Sequence, residues 1–269
     1  MNTIIYYFTG TGNSLKVSKD LSQYLDNSEL IQIRQEGLSH QLFADADTIG
    51  FVVPTIFSGI PKLVDQFIKQ LEFRKKSPYI FVISTHGDPN GIGIVFEQIE
   101  KLLAEKGLCL ASCFDIRMPH NVPEKDHLTT NEEKKRLFQE ETTKIPIIAE
   151  SIKRGELIQH KHKKIKSIFE RMIYNTTYKS TISNSFDKGF YADEKCINCT
   201  TCNKICPAQN IEMRDGKPMW KQHNCQLCFG CLQWCPKEAI QYKKRTVGIE
   251  RYHHPEIKAK ELFYDPMFF

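Results

Sequence analysis

The sequence predicts two domains: an α/β domain built on a five-stranded parallel sheet with helices on both faces, and a small cysteine-dense domain behind it. Two observations carry this. Up to Ile116, short apolar runs rich in β-branched and aromatic residues alternate with helical patterns, as strand–helix–strand units do. Between Cys196 and Pro236 the chain then places eight of its ten cysteines in two copies of C-x2-C-x2-C-x3-C-P. A chain of 269 residues has room for both units.

The first predicted strand is Thr3 to Phe8 (TIIYYF), apolar throughout and so buried on both faces. It runs into Thr9-Gly10-Thr11-Gly12-Asn13-Ser14, and a helix with Val17, Leu21, Tyr24 and Leu25 on one face follows. A strand, a turn of glycines and hydroxyls, and a helix start make an anion site. The glycines let successive N–H groups point at a phosphate, the hydroxyls add donors and the helix dipole favours negative charge. The turn has neither the lysine of a nucleoside triphosphate loop nor the spaced glycines of a dinucleotide fingerprint.

A second strand is expected at Glu29 to Ile33 and a third at Asp47 to Val53, ending in Pro54-Thr55-Ile56-Phe57-Ser58-Gly59-Ile60-Pro61 before a helix with Leu63, Val64, Phe67, Ile68 and Leu71. The fourth, Tyr79 to Ser84, leads into Thr85-His86-Gly87-Asp88-Pro89-Asn90. A helix from about Ile94 to Lys106 and a fifth strand near Leu108 to Ile116 complete the pattern. Cys109 and Cys113 lie four apart on that strand and read as core. Thr130 and Glu133 form a capping box for a long helix, which Pro146 should kink or split and Gly155 should end.

The loop at residues 9–14 resembles the phosphate loop of flavodoxins, T/S-x-T-G-x-T/S, and the strand pattern fits their sheet order 2-1-3-4-5. In that order the loops after strands one, three and four meet at one edge. The resemblance implies flavin mononucleotide (FMN). Thr9, Gly10, Thr11, Gly12, Asn13 and Ser14 would hold its phosphate, and Pro54, Thr55, Ile56, Phe57, Ser58 and Gly59 would flank the ribityl chain and one ring face, with Phe57 stacking. Ser84, Thr85, His86, Gly87 and Asp88 would face the pyrimidine edge, and Gly87 is a candidate for a peptide that turns over with flavin redox state. This chain departs from the pattern by lacking Trp in the first ring loop and Tyr in the second.

In each cysteine copy, three thiolates two residues apart curl around three corners of an iron–sulfur cube, while the fourth, before proline, reaches a neighbouring cube. Cys196, Cys199, Cys202 and Cys235 are thus expected to hold one 4Fe-4S cluster, and Cys225, Cys228, Cys231 and Cys206 another. From Tyr191 to Tyr242 the chain resembles the bacterial two-cluster ferredoxin, which implies a small α+β fold. Zinc prefers isolated pairs of cysteines, and a disulfide framework needs an oxidising compartment. No secretory signal is visible after Met1, so a reducing cytoplasm is expected.

Taken whole, the sequence resembles flavodoxin–ferredoxin fusion proteins: residues 1–155 a flavodoxin-like FMN domain, 156–189 a helical connector, 190–245 the two-cluster domain and 246–269 a tail. The connector places Ile165, Ile168, Phe169, Met172 and Ile173 at helical spacing, so one face should be buried, with the basic run from His160 to Lys166 on its solvated side. His253 and His254 read as surface, and the aromatic end from Phe263 to Phe269 as a cover for the protein itself. The loop from Met118 to Pro123 could border either domain. Apolar residues make up 41% and charged residues 26%, the balance of a soluble globular protein, and no run of apolar residues is long enough to span a membrane. The formal charge of +5 omits the negative charge that clusters and flavin phosphate bring, and no basic stripe interleaved with aromatics points to nucleic acid. The expected function is electron transfer between FMN, two 4Fe-4S clusters and redox protein partners. Two other functions fit the same residues: a flavin-dependent reductase of a small organic substrate, with a pocket in residues 118–190, and an iron–sulfur sensor without functional flavin.

Overall fold

A computed structural model describes residues 2–39, 41–89, 91–160, 164–179, 186–221 and 224–263. The sheet domain runs β1 (Thr3–Tyr7), α1 (Asn13–Ser22), β2 (Ser28–Gln32), β3 (Phe43–Ala44), β4 (Thr48–Pro54), α2 (Lys62–Gln70), β5 (Glu72–Phe73), β6 (Tyr79–His86), α3 (Val95–Ala104), β7 (Ser112–Arg117) and α4 (Asn131–Lys153). Five strands form one parallel sheet in the order β2-β1-β4-β6-β7. With β3 and β5 set aside as a two-residue pair of their own, this is the flavodoxin-like order 2-1-3-4-5. Helices α2 and α3 bury Leu63, Val64, Phe67, Ile99 and Leu103 on one face of the sheet. Helices α1 and α4 bury Leu15, Val17, Leu21, Ile145 and Ile148 on the other.

Several expectations need correction. The fifth strand begins at Ser112, so Cys109 precedes it and is exposed rather than core. Cys113 does lie on β7 against the core, where burial pushes its thiol up to about 11. Pro146 does not split α4: the helix continues past it to Lys153, with Ile145, Ile148, Ala149 and Ile152 pinned against the sheet on either side. The Thr130 hydroxyl accepts from the Glu133 N–H at 3.2 Å, and Gly155 follows the helix at φ 64°.

The connector departs most. Helix α5 (Lys164–Ile173) leaves Ile168, Phe169 and Met172 exposed, at 69%, 58% and 54%. A π-helical turn at Tyr174–Lys179 shifts the phase of the chain. Tyr174 and Tyr178 therefore meet the sheet domain instead: they stack at 5.1 Å, Tyr174 donates to the Ile60 carbonyl, and the Lys62 N–H donates to Tyr178. Residues 161–163 of the basic run, and the side chains of Lys164, Ile165, Lys166 and Ile173, lie outside the described residues, as do Asn90 and residues 264–269 of the aromatic end.

The second domain contains β8 (Phe190–Ala192), α6 (Thr201–Ile205), β9 (Ile211–Arg214), β10 (Lys217–Trp220), α7 (Gly230–Gln233) and β11 (Ile240–Tyr242), with β8 paired to β11 and β9 to β10, both antiparallel. It packs directly onto the sheet domain. Ile205 and Trp234 enter the core on the α1 side, and Leu227 enters the core on the α2 side. Arg34, 2% exposed, donates to the carbonyls of Lys204, Cys206 and Leu262. The tail wraps back over α1, burying Tyr252, Ile257 and Leu262, and it also buries His254, contrary to the surface expectation. The His254 ring lies 4.7 Å from Phe138, and burial pushes its imidazole down to about 4. Among the described residues, no helix is long and apolar enough to cross a membrane.

Candidate redox sites at the sheet edge and in the cysteine domain

The loops after β1, β4 and β6 come together at the carboxyl edge of the sheet, joined by their own hydroxyls. Ser14 shares a 2.8 Å hydrogen bond with Thr85, and Ser84 shares one of 2.9 Å with Thr55, whose N–H also reaches the Thr85 carbonyl. Thr9, Thr11, Ser14, Ser84 and Thr85 are all buried. A Thr9 hydroxyl that accepts from the Gly12 N–H, together with Gly12 at φ 96°, shapes the turn ahead of α1, whose first N–H groups have no carbonyl within the helix. This set of neutral N–H and O–H donors at a helix start fits a phosphate monoester without a cationic side chain.

The loop after β4 makes a tight turn in which Ile56 and Gly59 exchange both backbone hydrogen bonds. Its two central residues, Phe57 and Ser58, both have positive φ, 47° and 66°. That conformation costs a side-chain-bearing residue about 1–3 kcal/mol, and such strain gathers at ligand sites. Phe57 stands at the tip, 38% exposed, 6.1 Å from the Tyr178 ring. After β6, both ring nitrogens of His86 are engaged, Nδ1 with the Asp88 carbonyl and Nε2 with Asp115. The hydrogen bond from His86 holds the Asp115 carboxyl below its usual range. His86 therefore braces the loop against β7. The Gly87 carbonyl accepts from Arg117, and the His120 ring lies where a Cβ on Gly87 would stand.

In the second domain the cysteines line two voids. Cys196, Cys199, Cys202 and Cys235 surround one, and Cys206, Cys225, Cys228 and Cys231 the other, so the fourth cysteine of each copy crosses to its neighbour's group. Burial raises the Cys202 and Cys228 thiols to about 12 and drives those of Cys225 and Cys231 well up. Thiols in such surroundings need a positively charged centre to ionise. The sulfurs ring a space rather than converge: among the described residues, no three His, Cys, Asp or Glu side chains gather around a single-ion site. That arrangement suits a multi-iron cube, whose corners lie further apart than the ligands of one ion.

Sequence reasoning missed the seam between these sites. Gly10, in the turn after β1, lies so close to the Cys228 backbone that any Cβ would collide with its carbonyl, and a Cβ on Gly230 would sit 3.0 Å from the Gly10 carbonyl oxygen. Trp234, one residue before Cys235, donates its indole N–H to that same oxygen at 2.9 Å while stacking on His253. Asn13 donates to the Pro119 carbonyl and accepts from the Tyr252 hydroxyl, and the Thr11 carbonyl accepts from the His254 N–H. The loop from Met118 to Pro123 borders both domains, since Asn121 reaches the Cys228 carbonyl and accepts from Gln233. The one signal in the sequence was the pair of small residues Gly10 and Gly230, which nothing local explains.

Residues 195–240 match the family model described as a 4Fe-4S dicluster domain. The chain is 32% identical over 66 residues to a subunit of the ion-translocating oxidoreductase complex of Methanosarcina acetivorans, covering 23% of this chain and 25% of that one. It is 39% identical over 56 residues to the pyruvate synthase subunit PorD of Thermotoga maritima, covering 20% and 54%. The chain thus spans about a quarter and about half of these two relatives. Solved structures similar to it include an azoreductase from Bacillus anthracis (TM-score 0.38, 9% identity, 55% of this chain and 99% of that one) and the WrbA-like flavodoxin of Agrobacterium tumefaciens (TM-score 0.36, 13% identity, 58% and 99%). The sheet order by itself carries the likeness to flavodoxins. The chain joins a flavodoxin-like sheet to a 4Fe-4S domain.

Proposed function

We propose that the protein is an electron-transfer flavoprotein of the reducing cytoplasm, passing electrons between FMN at the sheet edge and two 4Fe-4S clusters and on to redox protein partners. The seam carries this reading: the turn fitted to a flavin phosphate is packed on the backbone of Cys228 and Gly230, with no linker between. Cys196, Cys199, Cys202 and Cys235 ligate one cluster, and Cys225, Cys228, Cys231 and Cys206 the other. Residues Thr9 to Ser14 hold the phosphate, while Pro54 to Gly59 and Ser84 to Asp88 flank the ring, with Phe57 on its face. When bound, a flavin accepts one or two electrons and so joins single-electron carriers to pairwise chemistry. The chain's own part is to fix the loops through the Ser14–Thr85 and Thr55–Ser84 pairs and to exclude water with Trp234, Tyr252 and His254. The names of the two relatives, subunits of an oxidoreductase complex and of a pyruvate synthase, support a place beside redox protein partners.

The reductase reading gains little from the cavities. A groove of about 770 Å³ between α2, α3 and the connector is floored by Tyr174 and Tyr178, but none of its lining residues comes from the three flavin loops. Purified without oxygen, the protein is expected to carry about one FMN and about eight irons per chain, with flavin bands over broad iron–sulfur absorption. Zinc in place of iron, or iron–sulfur colour without flavin, would reject the proposal.

A further inference from the structure

We infer that the two clusters have different stations: the one held by Cys206, Cys225, Cys228 and Cys231 is the flavin's internal partner, and the one held by Cys196, Cys199, Cys202 and Cys235 is the port through which electrons enter and leave. This rests on the cofactor content proposed above, and it follows from what surrounds each void.

The inner void is walled by Phe190, Ile211, Trp220 and Phe229. Its cysteine loop is built into the sheet domain. Leu227 belongs to the core beneath α2, Cys225 and Cys228 pack against that core, and the Gln226 side chain accepts from the Leu63 N–H at 2.8 Å. The same loop therefore touches the turn after β1 through Gly10 and the start of α2, directly after the loop that carries Phe57. The outer void is lined by Cys199 and Ile197, both exposed, and by Asn198 and Lys237, with no residue from the sheet domain among its lining.

Tunnelling rates fall exponentially with distance, so the short route from the sheet edge to solvent-side partners runs through the inner cluster and then the outer one. Each step moves one electron: the inner centre loses it, the outer centre gains it, and a one-electron redox protein outside takes it up. No bond forms or breaks, and no proton moves between the clusters.

The test uses the full-length protein, reconstituted without oxygen and reduced with dithionite, with a dysprosium chelate added as an external spin-relaxation probe. EPR power saturation is expected to show one cluster signal relaxed by the chelate and the other unaffected, with Cys199→Ser shifting the g values of the relaxed signal. An equal effect on both signals, an effect on neither, or relaxation of the signal that Cys228→Ser shifts would overturn the inference. In stopped-flow, reoxidation of the reduced protein by a cytochrome c is expected to slow about tenfold or more in Cys199→Ser, and a native rate in that variant would also overturn it. Both readouts belong to the clusters, so a protein without flavin would defeat the proposed function and still decide this question.

Discussion

In the first cysteine copy Asn198 and Thr200 have φ of 55° and 62°, and in the second Leu227 and Phe229 have 56° and 55°, at the same two positions after the first cysteine. The likeness continues beyond the fourth cysteine, where Gln209 and Glu238 have φ of 48° and 49° and the N–H groups of Asn210 and Ala239 point at the sulfurs of Cys206 and Cys235. One spacing thus yields one backbone path, twice. The side chains between the cysteines differ, and they decide the surroundings: Ile197 and Asn198 face outward, whereas Gln226 and Leu227 are 2% and 3% exposed and anchored in the sheet domain. Ligand spacing sets what a loop can hold, and the residues between the ligands set what it is joined to.

The largest expected effect comes from removing one ligand from each copy. Cys231→Ala should lose about half the iron and most of the FMN, because the loop that collapses also supports Gly10; Cys196→Ala should lose about half the iron and keep the flavin. Iron and flavin contents measured side by side check this, and equal flavin loss in both would erase the distinction. Arg34→Met comes next, leaving three buried carbonyls without their charged donor; unfolding in urea should show a loss of about 1.5–3 kcal/mol.

Gly10→Ala forces a methyl onto the Cys228 carbonyl. Overpacking of this kind costs about 1–3 kcal/mol, and flavin fluorescence should report weaker FMN retention while iron content stays unchanged. Trp234→Phe keeps the ring but removes the donor to Gly10, for about 0.5–1.5 kcal/mol in the same urea assay.

The smallest effect sharpens the comparison from the far side of the phosphate turn. Glu141, on α4, is buried, and burial with the nearby Asp20 pushes its carboxyl up to about 7. The unfolded chain gives up that proton near 4.5, so the folded state holds a proton the unfolded state has lost, and stability falls as pH rises from about 4.5 through about 7. Glu141→Gln should therefore raise the melting temperature at pH 8 and leave it unchanged at pH 5. A gain at both values would point to packing instead of charge.

The features legible in the sequence are those whose information is local. A parallel strand buried on both faces has to be apolar throughout, and a cube needs its thiolates a fixed number of residues apart, so β1, β4, β6 and both cysteine copies stood out. What stayed hidden depends on partners far along the chain. His254 reads as a surface residue until the tail is seen crossing α1, and the stripe of Ile168, Phe169 and Met172 reads as buried until the π-helical turn hands the contact to Tyr174 and Tyr178. Gly10 reads as a turn residue, and only the approach of Cys228, 218 positions later in the chain, explains why a side chain would not fit there.

The central claim is that charge passes between the sheet edge and the clusters inside one molecule. It is tested most directly by stopped-flow under anaerobic conditions, with the clusters reduced first and the flavin absorbance followed as protein concentration is varied about tenfold. The account predicts bleaching of the flavin band at a rate that does not change with concentration, as an intramolecular step requires. A rate that climbs in proportion to protein concentration, or a flavin that stays oxidised beside reduced clusters, would contradict it.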